Sequence, residues 1–444
     1  MTTQGVMKTC RDRWYPLIDH PKQLELITDP HRFKVVPAGR RSGKTERLKR
    51  YIAKQMMKNP GKPYFLAAPT RDQVRKIYWE DMKLLTFAKF FGYRCISESN
   101  LCITIPNGSS VTLVGLDKPE RIEGVFWAGG GVDEIADVKE EAWPEHISPA
   151  LDTFNPQDPD YRAWCWLIGV PDGLNHYYDL SQDAENPAKK DWKLYTWFSS
   201  DILPPDVIEA AKSRMSRKQY LQEYEASFET ASGKIYSDYS KDNYTTSEIA
   251  NHEQLLWMHD FNFTPMSSAI GVRRNENDLF ILDEIVLESA VARQTALEFV
   301  DKFKAHGNKK LVLFGDPAGR AGEKHGHSSD YTEIETVLKQ NGWTIERRVK
   351  NKAPAIRDRQ NAVRAKIKNA KEHVSLFVNI NKAPYSHKGL ATLQAKKGST
   401  FIEEETDYQH ITTAIGYCVD WLWPCMRKQD FSHVQAVPTA HNWS

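Results

Sequence analysis

The sequence predicts an α/β chain of two domains, each built on its own sheet. Three observations carry this. The stretch Val35-Val36-Pro37-Ala38-Gly39-Arg40-Arg41-Ser42-Gly43-Lys44-Thr45 runs from an apolar segment through a Gly- and Arg-rich turn into a helical pattern. Apolar runs of strand length alternate with helical stretches on both sides of a break at 199–233, the order expected of open sheets covered by helices. Two apolar runs of the second half lead to aspartates, Asp260 and Asp316.

At 444 residues, 40% hydrophobic and 27% charged, the chain can bury more than one core. It has no apolar run long enough to cross a bilayer. Met1 to Arg13 is polar and lacks the apolar centre of a signal peptide. The six cysteines form no C-x-x-C pair, which reads as reduced thiols rather than a zinc site. A net charge of +2 says little about partners. Lys and Arg nevertheless gather at 40–58, 212–218, 302–310, 347–371 and 388–397. Such runs suit either solvated faces or a polyanion such as DNA.

Taken in order, Trp14 and Tyr15 precede Gln23, whose amide can read an adenine edge or lie idle on a short helix. In the turn that follows, backbone N–H groups and a helix N-terminus form an anion site. Lys44 can reach the outer phosphates and Thr45 can ligate Mg²⁺. The usual spacing places its first glycine where Ala38 stands, so Gly39 comes one position late and Arg40 and Arg41 fill the loop. A helix over 46–58 stops at Asn59-Pro60-Gly61. A strand at 64–68 and a helix over 71–91 follow, then a hairpin around Pro106-Asn107-Gly108-Ser109.

The next run, interrupted by Gly129, Gly130 and Gly131 and so expected to be an imperfect strand, ends in Asp133-Glu134. At the end of a strand beside a phosphate loop, the first acid can hold Mg²⁺ and the second can orient the attacking water. A strand at 164–170 leads to Asp172, Asn175 and His176, a turn that either faces the γ-phosphate or simply reverses the chain. Pro204 and Pro205 mark a linker with one charged helix over 206–228.

The second half reads as a strand at 255–263, paired strands at 267–272 and 279–285, a helix over 292–306 and a strand ahead of Gly315-Asp316-Pro317. Each aspartate alone suits a strand end. Brought together they need a cation, and hard oxygen ligands favour Mg²⁺ or Mn²⁺; two such ions can clamp a phosphodiester displacement. The loop from Gly319 to Ser329 suits a backbone phosphate. A basic helix over 354–371 carries Arg357, Arg359, Arg364 and Lys366, and a C-terminal helix carries Asp407 and His410.

As an ordered set, Gly39-Arg40-Arg41-Ser42-Gly43-Lys44-Thr45, Pro106-Asn107-Gly108-Ser109, Asp133-Glu134, His259-Asp260-Phe261, Gly315-Asp316-Pro317 and His410…Ala414…Tyr417 resemble the large subunit of tailed-bacteriophage terminases, the DNA-packaging motors. The likeness covers 14–425. It implies a P-loop ATPase domain of the ASCE type at 1–200, a linker at 201–234, an RNase H-like nuclease domain at 235–430 and a polar tail at 431–444. It implies ATP hydrolysis that drives double-stranded DNA into a procapsid, and a two-metal endonuclease using Mg²⁺ or Mn²⁺ that cuts concatemers. Gly39, Arg40, Arg41, Ser42, Gly43 and Lys44 would then bind ATP, with Mg²⁺ at Thr45 and Asp133. Glu134 would activate water and Gln23 would sit by adenine. Arg121 would reach a neighbouring subunit's nucleotide or brace its own loop.

In the nuclease, Asp260 and Asp316 would bind metal. Many relatives carry a third acid where this chain has Thr413. Asp407 is the expected substitute, with Glu405, Asp420 and Asp330 also available. Implied partners are double-stranded DNA, a portal protein, a small subunit and further copies in a pentamer, with no membrane. The expected location is the host cytoplasm, docked transiently on the portal. Two other readings stay open: a helicase-like ATPase whose second domain only binds DNA, and a non-enzymatic scaffold of a capsid vertex.

Overall fold

A computed structural model describes residues 2–152, 162–228, 233–261, 265–321, 329–396 and 401–425. Residues up to 208 together with 221–229 form one compact unit; 209–220 together with 230–428 form a second. The proposed tail at 431–444 lies outside the described residues, as do 322–328 of the expected phosphate-contacting loop and 229–232 of the expected linker.

The first unit begins with α1 (Thr3–Asp12), α2 (Pro21–Thr28), β1 (Phe33–Pro37), α3 (Lys44–Lys58), β2 (Pro63–Ala68), α4 (Arg71–Leu85) and α5 (Ala88–Phe91). It continues with β3 (Ile96–Ser97), β4 (Cys102–Thr104), β5 (Ser110–Gly115), β6 (Gly129–Asp133), α6 (Ser148–Leu151), β7 (Trp164–Gly169), α7 (His176–Glu185) and β8 (Trp192–Leu194). The eight strands lie in the order β3-β4-β5-β2-β6-β7-β1-β8. From β5 to β8 every neighbour is parallel, and β3, β4 and β5 form an antiparallel edge. Strand β7 therefore separates the phosphate-loop strand β1 from the acidic strand β6, the ASCE order.

Parallel strands covered on both faces are largely apolar, and every residue of β1 is buried, Lys34 included. Leu48 and Ile52 of α3, with Tyr78 and Met82 of α4, cover Val36 and Leu66 on one face. Trp143 and Tyr177 cover Val35, Val132 and Leu167 on the other. The glycines of β6 do not spoil it; they make it possible. A Cβ on Gly129 would stand 2.3 Å from the Trp164 ring, and one on Gly130 2.4 Å from Phe65. The strand runs regularly because large neighbours occupy the space its side chains would take. The helix expected over 71–91 is instead two. Phe87 adopts a left-handed backbone (φ 59) that ends the first and begins the second.

The expected single helix over 206–228 is likewise two, α8 (Pro205–Arg214) and α9 (Arg217–Tyr224). Ser216 interrupts it, and its hydroxyl accepts a hydrogen bond from the Gln219 N–H at 3.3 Å, the contact that starts a new helix.

In the second unit follow β9 (Tyr244–Thr245), β10 (Leu255–Asp260), β11 (Met266–Arg273), β12 (Leu279–Leu287), α10 (Ala292–Lys302), β13 (Lys310–Gly315), α11 (Asp330–Gln340) and β14 (Thr344–Arg347). Then come α12 (Ile356–Ile367), β15 (Leu376–Asn379), α13 (Pro384–Thr392) and α14 (Gln409–Leu422). The sheet order is β14-β13-β10-β11-β12-β15-β9. β10, β11 and β12 are antiparallel, and β13 and β14 extend the sheet in parallel from β10, the RNase H-like arrangement. Helices α12 and α14 pack on one face, α10 and α11 on the other. The C-terminal helix begins at Gln409, so Asp407 is not on it: the Gln409 N–H bonds to Thr406 O in a turn. Among the described residues no helix is long and apolar enough to cross a membrane, and all six cysteines are free thiols.

Candidate functional site

The phosphate loop joins β1 to α3. Gly43, at φ 89, occupies the left-handed position that turns the chain into the helix, a backbone state glycine adopts without strain. Gly39 is required for a different reason. A Cβ there would lie 2.5 Å from both Ser199 N and Tyr224 O. The loop is therefore wedged against the segments 197–199 and 223–224. The Gly39 N–H donates to Trp197 O at 3.0 Å, and the Ser199 hydroxyl donates to Arg40 O at 2.7 Å. The late glycine marks where the loop meets the rest of its unit.

Lys44 is buried and donates to Ala38 O and Gly39 O at 3.1 and 3.2 Å. The Ser42 hydroxyl donates to Gly39 O at 2.5 Å. Arg40 forms an ion pair with Glu223 at 2.9 Å. Arg41 is exposed, with a left-handed backbone (φ 57).

Asp133 ends β6 beside the loop. Its Oδ2 accepts from the Thr45 hydroxyl and from the Tyr78 hydroxyl, each at 2.8 Å, and its Oδ1 accepts from the Glu134 N–H at 3.0 Å. Burial holds its pKa above the usual carboxylate range, with the neighbouring Glu134 pushing the same way and the two hydroxyls opposing. Glu134 has φ 53, a strained state for a residue with a side chain. The turn after it is braced: His176 Nε2 lies 2.9 Å from Ile135 O, and Asn175 Nδ2 donates to Ala136 O at 3.1 Å. The turn at 172–176 therefore holds the acidic turn directly.

Gln23 is buried behind the loop, where it donates to Ser42 O and accepts from Arg47 Nε, both at 2.7 Å. Its amide supports the loop. Arg121 pairs with Asp117 of its own loop at 3.5 Å, both partly exposed.

In the second unit, β10 and β13 are paired with His259 opposite Gly315, so Asp260 and Asp316 follow at the same level of adjacent strands. Successive strand residues face opposite sides. His259 faces the core between Trp257 and Phe261, where burial pushes its pKa down to about 3 and keeps it neutral. Asp260 lies 2.9 Å from His410 Nδ1 on α14, an ion pair that raises the His410 pKa. Asp316 accepts the Ala318 N–H at 2.9 Å, and burial together with the charge of Asp260 raises its pKa.

Asp407 is exposed on the turn before α14, and among the described residues no three His, Cys, Asp or Glu side chains form a cluster able to hold a metal ion. The alternatives are engaged elsewhere or unclustered. Glu405 pairs with Lys396 at 2.9 Å, Asp420 pairs with Lys350, and Asp330 opens α11. The third position near Asp260 is taken by His410.

No family model matches the chain. It is 22% identical over 265 residues to the terminase large subunit of Thermus virus P23-45, a match covering 51% of this chain and 52% of that one. The chain thus spans about half the length of the curated relatives it matches. The crystal structure of the large terminase from a thermophilic bacteriophage is 16% identical and superposes with a TM-score of 0.59 over 91% of this chain and 99% of that chain. The structure of the same phage protein in complex with ADP gives 0.58, at 16% identity, over 90% and 99%.

The chain has the large-terminase fold. Within that fold, no local motif announces Tyr78, which reaches Asp133 from a helix far away in the chain. The sequence puts Arg359 on a basic helix, yet its side chain is buried. His410 stands out in the sequence only as part of a motif, and its contact with Asp260 requires the fold.

Proposed function

We propose that the chain is a DNA-packaging motor subunit that hydrolyses ATP to move double-stranded DNA into a procapsid and cuts concatemers with a metal-dependent endonuclease. The observation that carries this is the convergence of Lys44, Thr45, Asp133 and Glu134 at the β1 and β6 strand ends in one unit, with Asp260 and Asp316 side by side in the other. In this reading the motor occupies 1–200, the linker 201–234 and the nuclease 235–430.

Lys44 binds the outer phosphates of ATP, and Gln23 keeps the loop in shape and offers its remaining N–H to adenine. Mg²⁺ fits Thr45 and Asp133, a hydroxyl and a buried carboxylate already 2.8 Å apart, and would supply charge neutralisation at the phosphates. Glu134, fixed by its strained backbone and the Asn175–His176 brace, accepts a proton from the attacking water. Arg40 and Arg41 line the loop, and Arg121 either braces its own loop through Asp117 or reaches a neighbouring copy's nucleotide. In the nuclease, Asp260 and Asp316 are hard oxygen donors suited to Mg²⁺ or Mn²⁺. Two ions would need a further donor, from Asp407 or from His410. The partners are double-stranded DNA, the portal, a small subunit and copies of this chain in a pentameric ring, acting in the host cytoplasm while docked on the portal.

The test is plasmid cleavage with Mn²⁺ beside ATP turnover. Asp260→Ala and Asp316→Ala should each abolish cleavage and leave ATP turnover intact. Cleavage surviving both substitutions means that the nuclease assignment to Asp260 and Asp316 is wrong.

A further inference from the structure

Arg13 caps the C-terminal end of α1, ahead of the irregular stretch that leads to α2. Its side chain is only 12% exposed. Its Nη1 and Nη2 donate to the two carboxylate oxygens of Glu46, each at 2.7 Å, and its Nε donates to Asp81 Oδ1 at 2.9 Å. Glu46 follows Thr45 in the first turn of α3. Asp81 stands one turn beyond Tyr78 on α4. One planar cation thus joins the two helices whose Thr45 and Tyr78 hydroxyls meet on Asp133 Oδ2, each at 2.8 Å.

Other contacts seat it there. Arg50 Nε donates to Glu46 at 2.6 Å, and Lys49 Nζ donates to Asp81 at 2.6 Å while lying 5.5 Å from the centre of the Tyr78 ring. The stretch after Arg13 is tied down by both helices. Arg50 donates to Tyr15 O at 2.6 Å and Arg47 to Ile18 O at 2.7 Å, and the Trp14 indole donates to Leu85 O at the end of α4 at 3.2 Å. Enclosed ion pairs contribute little net stability, and a lysine would supply the same charge. What arginine alone offers is a rigid fork that holds two carboxylates at a fixed separation.

We propose that Arg13 is a positioning residue of the ATP site. By bonding Glu46 and Asp81 at once it fixes α3 against α4, so that Thr45, Tyr78 and Asp133 stand preset for Mg–ATP. This rests on the ATPase reading above, and wild type beside Lys44→Ala separates the two. If wild type neither binds nor turns over ATP, the ATPase reading fails. If wild type does both, Lys44→Ala does neither, and the Arg13 variants match wild type, only this proposal fails.

The experiment uses the full chain with Arg13→Met, Arg13→Lys, Asp81→Asn and the Arg13→Met/Asp81→Asn double variant. ATP affinity with Mg²⁺ and with EDTA, the KM for Mg–ATP and Tm are measured for each. Arg13→Met should weaken Mg–ATP binding and raise KM by about tenfold, the low end of the range for groups that orient metal ligands, because Lys49 still spans the two helices. Affinity for ATP in EDTA, which rests on Lys44 and the loop N–H groups, should stay at the wild-type value. Arg13→Lys keeps the charge without the fork, so it should recover Tm more than Mg–ATP affinity. Asp81→Asn should lose as much as Arg13→Met, and the double variant should be no worse than about tenfold, since both act through one contact. Losses that multiply to about a hundredfold would overturn the proposal. So would wild-type Mg–ATP affinity in Arg13→Met, an equal loss with Mg²⁺ and with EDTA, or parallel recovery of Tm and affinity in Arg13→Lys. If Arg13→Met does not fold because Glu46 and Asp81 lose their shared cation, Arg13→Lys beside Asp81→Asn carries the same comparison.

Discussion

Tyr78→Phe removes one oxygen and tests the electrostatics of the proposed ATP site. Tyr78 is fully buried on α4, and its hydroxyl donates to Asp133 Oδ2 at 2.8 Å. Asp133 then keeps two donors, the Thr45 hydroxyl and the Glu134 N–H. A hydrogen bond to a buried charged group contributes about 1.5–3 kcal/mol, and losing it raises the Asp133 pKa further. The sign follows from the direction of the existing shift. Burial and Glu134 already hold Asp133 above its ordinary range. The folded state therefore prefers the protonated acid, and stability falls as pH rises from the ordinary carboxylate range through the folded pKa. The variant deepens that fall. It should be destabilised by about 2 kcal/mol at neutral pH and by much less in acid, where Asp133 is protonated in both proteins. Urea or thermal unfolding of the first transition at the two pH values measures this, with Mg–ATP affinity weakened in parallel. An equal loss of stability at both pH values would show that Tyr78 acts by packing alone and refute the electrostatic reasoning.

Three further outcomes follow from named contacts. Gly39→Ala places a Cβ 2.5 Å from two backbone atoms; it should cost about 1–3 kcal/mol of stability and lower ATP affinity, read by urea titration and nucleotide binding. Gln23→Leu leaves the Arg47 Nε unpaired in a buried site and leaves Ser42 O with the Trp197 indole N–H alone, and should destabilise by about 1–3 kcal/mol and raise the KM for ATP. Lys34 donates to Leu26 O and Asp29 O, and burial lowers its pKa to about 8 from 10.5. Its folded pKa lies below the unfolded value, so stability should rise as pH climbs from about 8 to 10.5. Lys34→Met should flatten that rise in pH-dependent unfolding.

What the sequence makes legible is local. The phosphate loop, the Asp133-Glu134 pair and the two strand-end aspartates are contiguous signals, and their strands and order follow from apolar runs bounded by turns. The glycines of β6 read as an interruption because their reason is the bulk of Trp164 and Phe65 on neighbouring strands, invisible in the run itself. The helix over 206–228 divides at Ser216, where a serine hydroxyl captures a backbone N–H, a competition that composition does not reveal. Asp407 suits a metal by type, but the helix starts after it, and His410 reaches Asp260 instead. Gln23 suits adenine by its amide, whereas its neighbours Ser42 and Arg47 are brought to it only by folding. Tyr78 has no sequence signature, because the acid it serves is distant in the chain.

The central claim is that Glu134 activates water at an ATP site built on Lys44, Thr45 and Asp133. ATP turnover and ATP binding of Glu134→Gln, measured beside wild type with double-stranded DNA present, test it most directly. The variant should bind ATP as wild type does while turnover falls by about a hundredfold or more, the loss expected of a missing general base. Equal turnover in the two proteins, or none in wild type, would contradict it.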